Sequence, residues 1–195
     1  MRFSQIMRFS LLIGVCLLFP VTASAQKPRG IRSVDFRNFT FETSGGKFVL
    51  RDGKYYEGEA GSWYRRTLSR VEYVDFNRDG YDEAFVVIDY RTSGTLDNAQ
   101  DYYVFTYRRG TAQPAFHEWR EKPQNARVKS RNVVLAAPFW KDGGLCCPSG
   151  IETSVYAWRN AHFVRVRRSW QYLDSNTNWW LTSGAHNKAL QLTAR

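Results

Sequence analysis

The stretch Leu68-Ser69-Arg70-Val71-Glu72-Tyr73-Val74-Asp75-Phe76, Asn77-Arg78-Asp79-Gly80-Tyr81-Asp82-Glu83, Ala84-Phe85-Val86-Val87-Ile88-Asp89-Tyr90 reads as strand, turn, strand. Its flanks are rich in β-branched and aromatic residues, which fit a pleated, half-buried surface better than a helix. The second flank is almost continuously apolar and predicts a central strand buried on both faces. Between them, Asn77-Arg78-Asp79-Gly80 breaks the pattern with residues that tolerate left-handed backbone.

The same texture extends outward. Upstream, residues 34–41 alternate with a slip at Asn38-Phe39, predicting a bulged strand, and 47–50 predict a second strand closed by Asp52-Gly53. Residues 54–62, with Gly58 and Gly61, read as a loop. Downstream, 92–98 is a polar loop and 101–108 a strand. Segments 116–120 and 126–138 supply one strand each, and 141–150 is a loop holding Cys146 and Cys147. Residues 152–158 and 163–168 predict a hairpin about Arg159-Asn160-Ala161. Eight or nine short strands with regular turns and no amphipathic helix predict a single all-β or strongly β-biased antiparallel domain.

The first 25 residues read as a secretory signal peptide. Arg2 and Arg8 supply positive charge, Leu11 to Phe19 is a short apolar run, and Ala23-Ser24-Ala25 is a cleavage site. The run is shorter than the roughly 20 residues that span a bilayer, so no transmembrane anchor is expected. Cys16 follows Val15, a poor context for lipid attachment. Residues 26–33 form a lead-in, 34–169 the β domain, and 170–195 a poorly ordered tail. These features predict a secreted or periplasmic protein. Cleavage would remove two arginines and no acid, taking the formal charge from +10 to +8. Such a charge favours anionic partners, and export separates the chain from nucleic acid.

The loop 75–83 places oxygen-bearing side chains at alternate positions, Asp75, Asn77, Asp79 and Glu83, with Gly80 at the sharp turn and the Tyr81 carbonyl available. Alternate residues of a tight loop can converge on one hard cation, and calcium takes six to eight oxygens in flexible geometry. Position 12 is Val86, where an EF-hand needs Glu, and a strand follows in place of a helix. The competing reading is a metal-free turn in which Asp75 and Asn77 bind backbone N–H groups. The pattern Asp-x-Asn-x-Asp-Gly-x-x-Glu resembles the strand–loop–strand calcium motif of FG-GAP and VCBS-type repeats, here in one copy. Over 34–168, the run Val71 to Ala84, the segment Cys146-Cys147-Pro148-Ser149-Gly150 and the last hairpin with Tyr156 and Trp158 resemble uncharacterised exported bacterial proteins similar to the LppP/LprE-type lipoproteins. That resemblance implies no activity.

After cleavage Cys146 and Cys147 are the only cysteines. Adjacent trans residues sit about 3.8 Å apart between Cα atoms, against roughly 4.4–6.8 Å in ordinary disulfides. They form either a strained ring disulfide or free or intermolecular thiols. His117 and Glu118, adjacent on a strand, point to opposite faces, whereas Glu118 and Arg120 share one and read as an ion pair. No nucleophile elbow, zinc-protease helix, phosphate loop or dinucleotide fingerprint is present. The leading expectation is a non-catalytic exported binding or structural domain stabilised by one calcium ion. The alternative is a basic, aromatic module for an anionic glycan or cell-envelope polymer, through Arg159, Arg165, Arg167 and Arg168 with Trp140, Trp158 and Trp170. In that reading Arg165 and Arg167 face out together while Val164 and Val166 face the core. A small hydrolase ranks third.

Overall fold

The computed structural model describes residues 30–59, 61–93, 98–141 and 148–173. The predicted signal segment 1–25, Cys146 and Cys147, and the predicted tail from 174 onward lie outside the described residues. Among the described residues eleven strands form, and every pairing is antiparallel. They are β1 (Thr40–Thr43), β2 (Gly46–Val49), β3 (Lys54–Glu59), β4 (Ser62–Val74), β5 (Glu83–Thr92), β6 (Asn98–Arg108), β7 (Thr111–Glu121), β8 (Asn125–Lys129), β9 (Asn132–Phe139), β10 (Gly150–Arg159) and β11 (His162–Tyr172). The chain is all-β, with a few more strands than the sequence predicts.

Three layers result. Strands β3-β4-β5-β6-β7 form a five-stranded meander, β8 to β11 a four-stranded one, and β1-β2 a separate hairpin. Strands β5 and β6 are buried on both faces, as the apolar run 84–90 predicts. Ala84, Val86 and Ile88 with Tyr103 and Phe105 meet Phe36, Phe41, Phe48 and Leu50 of the N-terminal segment, which caps that face. Phe85, Val87, Tyr102 and Val104 meet Val133, Leu135 and Tyr156 of the second sheet. The period of two thus divides one strand between two cores. The 68–76 and 84–90 segments pair directly, with Val74 opposite Glu83 closing the ladder beside the acidic loop.

The differences from the sequence reading have local causes. Residues 34–38 are not strand: the Asp35 carboxylate accepts from the Arg37 backbone N–H at 3.0 Å and the Asn38 amide at 2.8 Å, winding a 3₁₀ turn at Phe36–Asn38 that follows another at Ile31–Ser33. Such local side-chain bonds compete with a ladder. Residues 54–59 are strand rather than loop, because Gly58 sits where β3 and β4 crowd. A Cβ there would lie 2.3 Å from the Ser62 carbonyl oxygen. Segment 126–138 is two strands. Ser130 and Arg131, both at positive φ, make the two-residue turn, without the glycine that usually announces one. Asn160 and Ala161 do the same in the predicted last hairpin. Strand β11 runs past residue 169 to Tyr172.

Candidate functional site

Between β4 and β5 the chain must reverse over residues 75–82, and it does so by successive side-chain-to-backbone bonds. Asp75 Oδ1 accepts from the Arg78 N–H at 2.6 Å, Asn77 Oδ1 from the Asp79 N–H at 2.8 Å, and Asp79 Oδ1 from the Tyr81 N–H at 2.8 Å. Gly80 takes φ +85, and Arg78 the left-handed value +66. The backbone bonds expected of Asp75 and Asn77 in a turn are both present.

The side chains also meet one another. Asn77 Nδ2 donates to Asp79 Oδ2 at 3.0 Å and to Glu83 Oε1 at 2.9 Å, while Glu83 Oε2 accepts the Phe76 N–H at 2.9 Å. Glu83 is only 3% exposed. Burial pushes its carboxyl up to about 7, and the neighbouring charges of Asp79 and Asp75 add to the rise against the Phe76 hydrogen bond. Asn77, Asp79 and Glu83 are thus brought together. Asp75 Oδ1 is held by the loop backbone, and the Tyr81 side chain is exposed. Among the described residues no three His, Cys, Asp or Glu side chains gather into a metal-holding group. A cation here would draw on the Asn77 amide and main-chain carbonyls as well as carboxylates. Asp82 pairs with Arg32 at 2.7 Å. Arg70 points between the sheets, donating to the Ala126 carbonyl at 2.7 Å.

The loop forms one wall of a cavity of about 620 Å³. Asn77, Asp79 and Glu83 line it together with Ile31 and Tyr107. The volume lies within the roughly 300–1,000 Å³ of small-molecule sites, and the mixture of apolar walls and a few polar groups is what such sites use.

The basic set on the last hairpin is divided. Tyr156 pairs with Arg165, but a bulge follows and Val155 pairs with Arg167. Opposed residues share a face, so the two arginines lie on opposite sides of the sheet. Val166, expected in the core, is 49% exposed. Arg168 turns toward the second core and donates to Glu152, which also accepts from Ser154 at 3.0 Å. Burial alone would raise the Glu152 carboxyl. The hydrogen bonds from Arg168 and Ser154, with the Arg168 and Arg120 charges, outweigh it and hold the group below its ordinary value. Arg120 bridges this cluster to Glu118 at 3.0 Å, the predicted pair, and to the Tyr156 hydroxyl at 3.0 Å. Arg159 is exposed, Trp158 packs edge-on against Phe163 within the core, and Trp170 lies under Arg168. Lys122 lies over the Trp140 ring at 5.5 Å.

Sequence reasoning missed a pair that only pairing creates: His117 Nε2 lies 2.8 Å from Asp101 Oδ1. The signal was a lone Asp at the head of an apolar strand, and its partner sits sixteen residues away on β7. No protein-family model, curated protein or solved structure matches the chain.

Proposed function

We propose that this chain is an exported, non-catalytic binding domain whose 75–83 loop takes up one calcium ion beside a ligand cavity. One observation carries the reading: the three side chains that meet in the loop, Asn77, Asp79 and Glu83, are also a wall of the cavity. The Asn77 amide nitrogen stands between two carboxylates, the place a cation would take. Turning the Asn77 oxygen to the ion would give up its bond to the Asp79 N–H, in exchange for a place with Asp79, Glu83, the second Asp75 oxygen and the Tyr81 carbonyl in an all-oxygen shell. The ion would neutralise repulsion around a buried Glu83 and pin the turn between the two strands that carry both cores.

Export rests on the tripartite segment 1–25, with a secreted or periplasmic destination and Gln26 as the mature N-terminus. Among the described residues no helix is long and apolar enough to cross a membrane. The polyanion alternative has less support, since Arg165 and Arg167 diverge and Arg168 is engaged by Glu152.

Thermal unfolding with and without calcium tests the metal. With a dissociation constant of about 10⁻⁴ M, as in extracellular modules, 1 mM calcium stabilises by RT ln(1 + 10), about 1.4 kcal/mol. At about 3 °C per kcal/mol the midpoint rises by about 4 °C. Asp79→Ala abolishes the rise. An unchanged wild-type melt in millimolar calcium would leave the loop as a turn and remove the metal from the reading.

A further inference from the structure

The N-terminal cap covers only part of its face of the β3–β7 sheet, and a polar centre framed by aromatic rings lies at the edge of the cover. Asp101 on β6 is 1% exposed, with Oδ1 on His117 and Oδ2 without a hydrogen-bond partner. Arg66 on β4 brings its Nε, also buried and unpartnered, to 4.0 Å from that oxygen. The guanidinium is held over the Phe48 ring at 4.1 Å and the Tyr90 ring at 5.4 Å. The rings continue outward: Tyr90 to Tyr64 at 5.9 Å and Tyr64 to Tyr55 at 6.0 Å, with both outer hydroxyls donating to Glu57. On the other side of Asp101 its direct pairing partner on β7, Trp119, is 47% exposed. His117 stacks flat on Tyr103 at 4.4 Å.

We propose that this strip binds a neutral saccharide. A pyranose ring has an apolar C–H face and a rim of hydroxyls that donate and accept at once. The strip offers the complement: an exposed indole and tyrosine rings to stack on, a carboxylate acceptor at the exposed Glu57, and the Arg66 guanidinium as donor, held in place by Asp101 beneath it. Charge selects within the class. Glu57, Asp101 and Glu121, which follows Trp119 on the same face, set three carboxylates against the one guanidinium of Arg66, on a chain of formal charge +10. Anionic polymers are therefore disfavoured here while attracted elsewhere on the molecule. Arg66 is fixed by its rings, and Tyr55 and Tyr64 by Glu57, so binding forfeits little side-chain freedom.

The test is native affinity electrophoresis of the mature protein, run toward the cathode, in gels containing hydroxyethylcellulose, laminarin, xylan or heparin. At least one neutral polysaccharide should retard the wild type, equally in EDTA. Trp119→Ala, at an exposed position that leaves the fold intact, should weaken the association constant at least tenfold, as should Arg66→Gln in protein shown by circular dichroism to be folded. Retardation by heparin alone, no retardation by any neutral polymer, undiminished binding by Trp119→Ala, or loss of binding in EDTA (which would move the ligand to the 75–83 loop) would each overturn the proposal.

Discussion

Replacing Glu152 by Gln tests whether the bulge in β11 really turns Arg168 inward. In the wild type, Glu152 is 6% exposed and gathers a hydroxyl from Ser154, a guanidinium N–H from Arg168, and Arg120 at 3.6 Å. A hydrogen bond to a charged group is worth about 1.5–3 kcal/mol, and breaking a well-buried pair costs about 3–5 kcal/mol. Arg168 is 44% exposed and returns to water when its partner goes, so the lower range applies. The expected loss is about 2 kcal/mol, or about 6 °C in midpoint at about 3 °C per kcal/mol. The pH dependence has a definite sign. The folded Glu152 carboxyl is held below its ordinary 4.5, so its contribution is complete above that value and lost as pH falls through the folded one. Gln does not titrate. Urea unfolding of both proteins at pH 7 and at pH 3 should therefore show a gap that narrows on acidification, while Arg167→Gln on the opposite face leaves the midpoint unchanged. A Glu152→Gln variant within about 0.5 kcal/mol of wild type at pH 7 would refute the clamp. So would a gap independent of pH.

Gly58→Ala should destabilise by more than about 2 kcal/mol in urea unfolding, because at φ +114 the new Cβ meets the Ser62 oxygen at 2.3 Å and the Trp63 Cα at 2.7 Å, both backbone atoms. Near-wild-type stability there would mean that β3 does not approach β4 so closely. In EDTA, Glu83 should behave oppositely to Glu152: with its folded carboxyl raised to about 7 from 4.5, wild-type stability falls relative to Glu83→Gln as pH rises across that window, by at most about 3 kcal/mol. Parallel stability curves from pH 4 to 8 would place the carboxylate in a wetter setting than its burial implies.

Much of the fold was legible because burial has a period. The run Ala84 to Ile88 had no polar face, so it had to lie between two layers, and it does. The acidic loop was legible too, since turn chemistry is local: Asp75, Asn77, Asp79 and Gly80 act on backbone a few residues away. The local rules faltered where a residue served two competing purposes. Asp35 wound a turn inside an alternating segment, Gly58 marked a close strand approach rather than a loop, and Ser130-Arg131 turned the chain without glycine.

What no reading of neighbours could supply is register. A single bulged residue reverses every later side chain of a strand, and that alone separated Arg165 from Arg167 and sent Arg168 to Glu152. Asp101, His117 and Arg66 likewise come from three strands, and nothing in their spacing along the chain implies that they meet. The amino-acid order determined most of the strands, which of them would be central, and where the acidic turn would fall. The tertiary structure alone decided which charges face each other, because ladder pairing sets distances between residues that the chain leaves far apart.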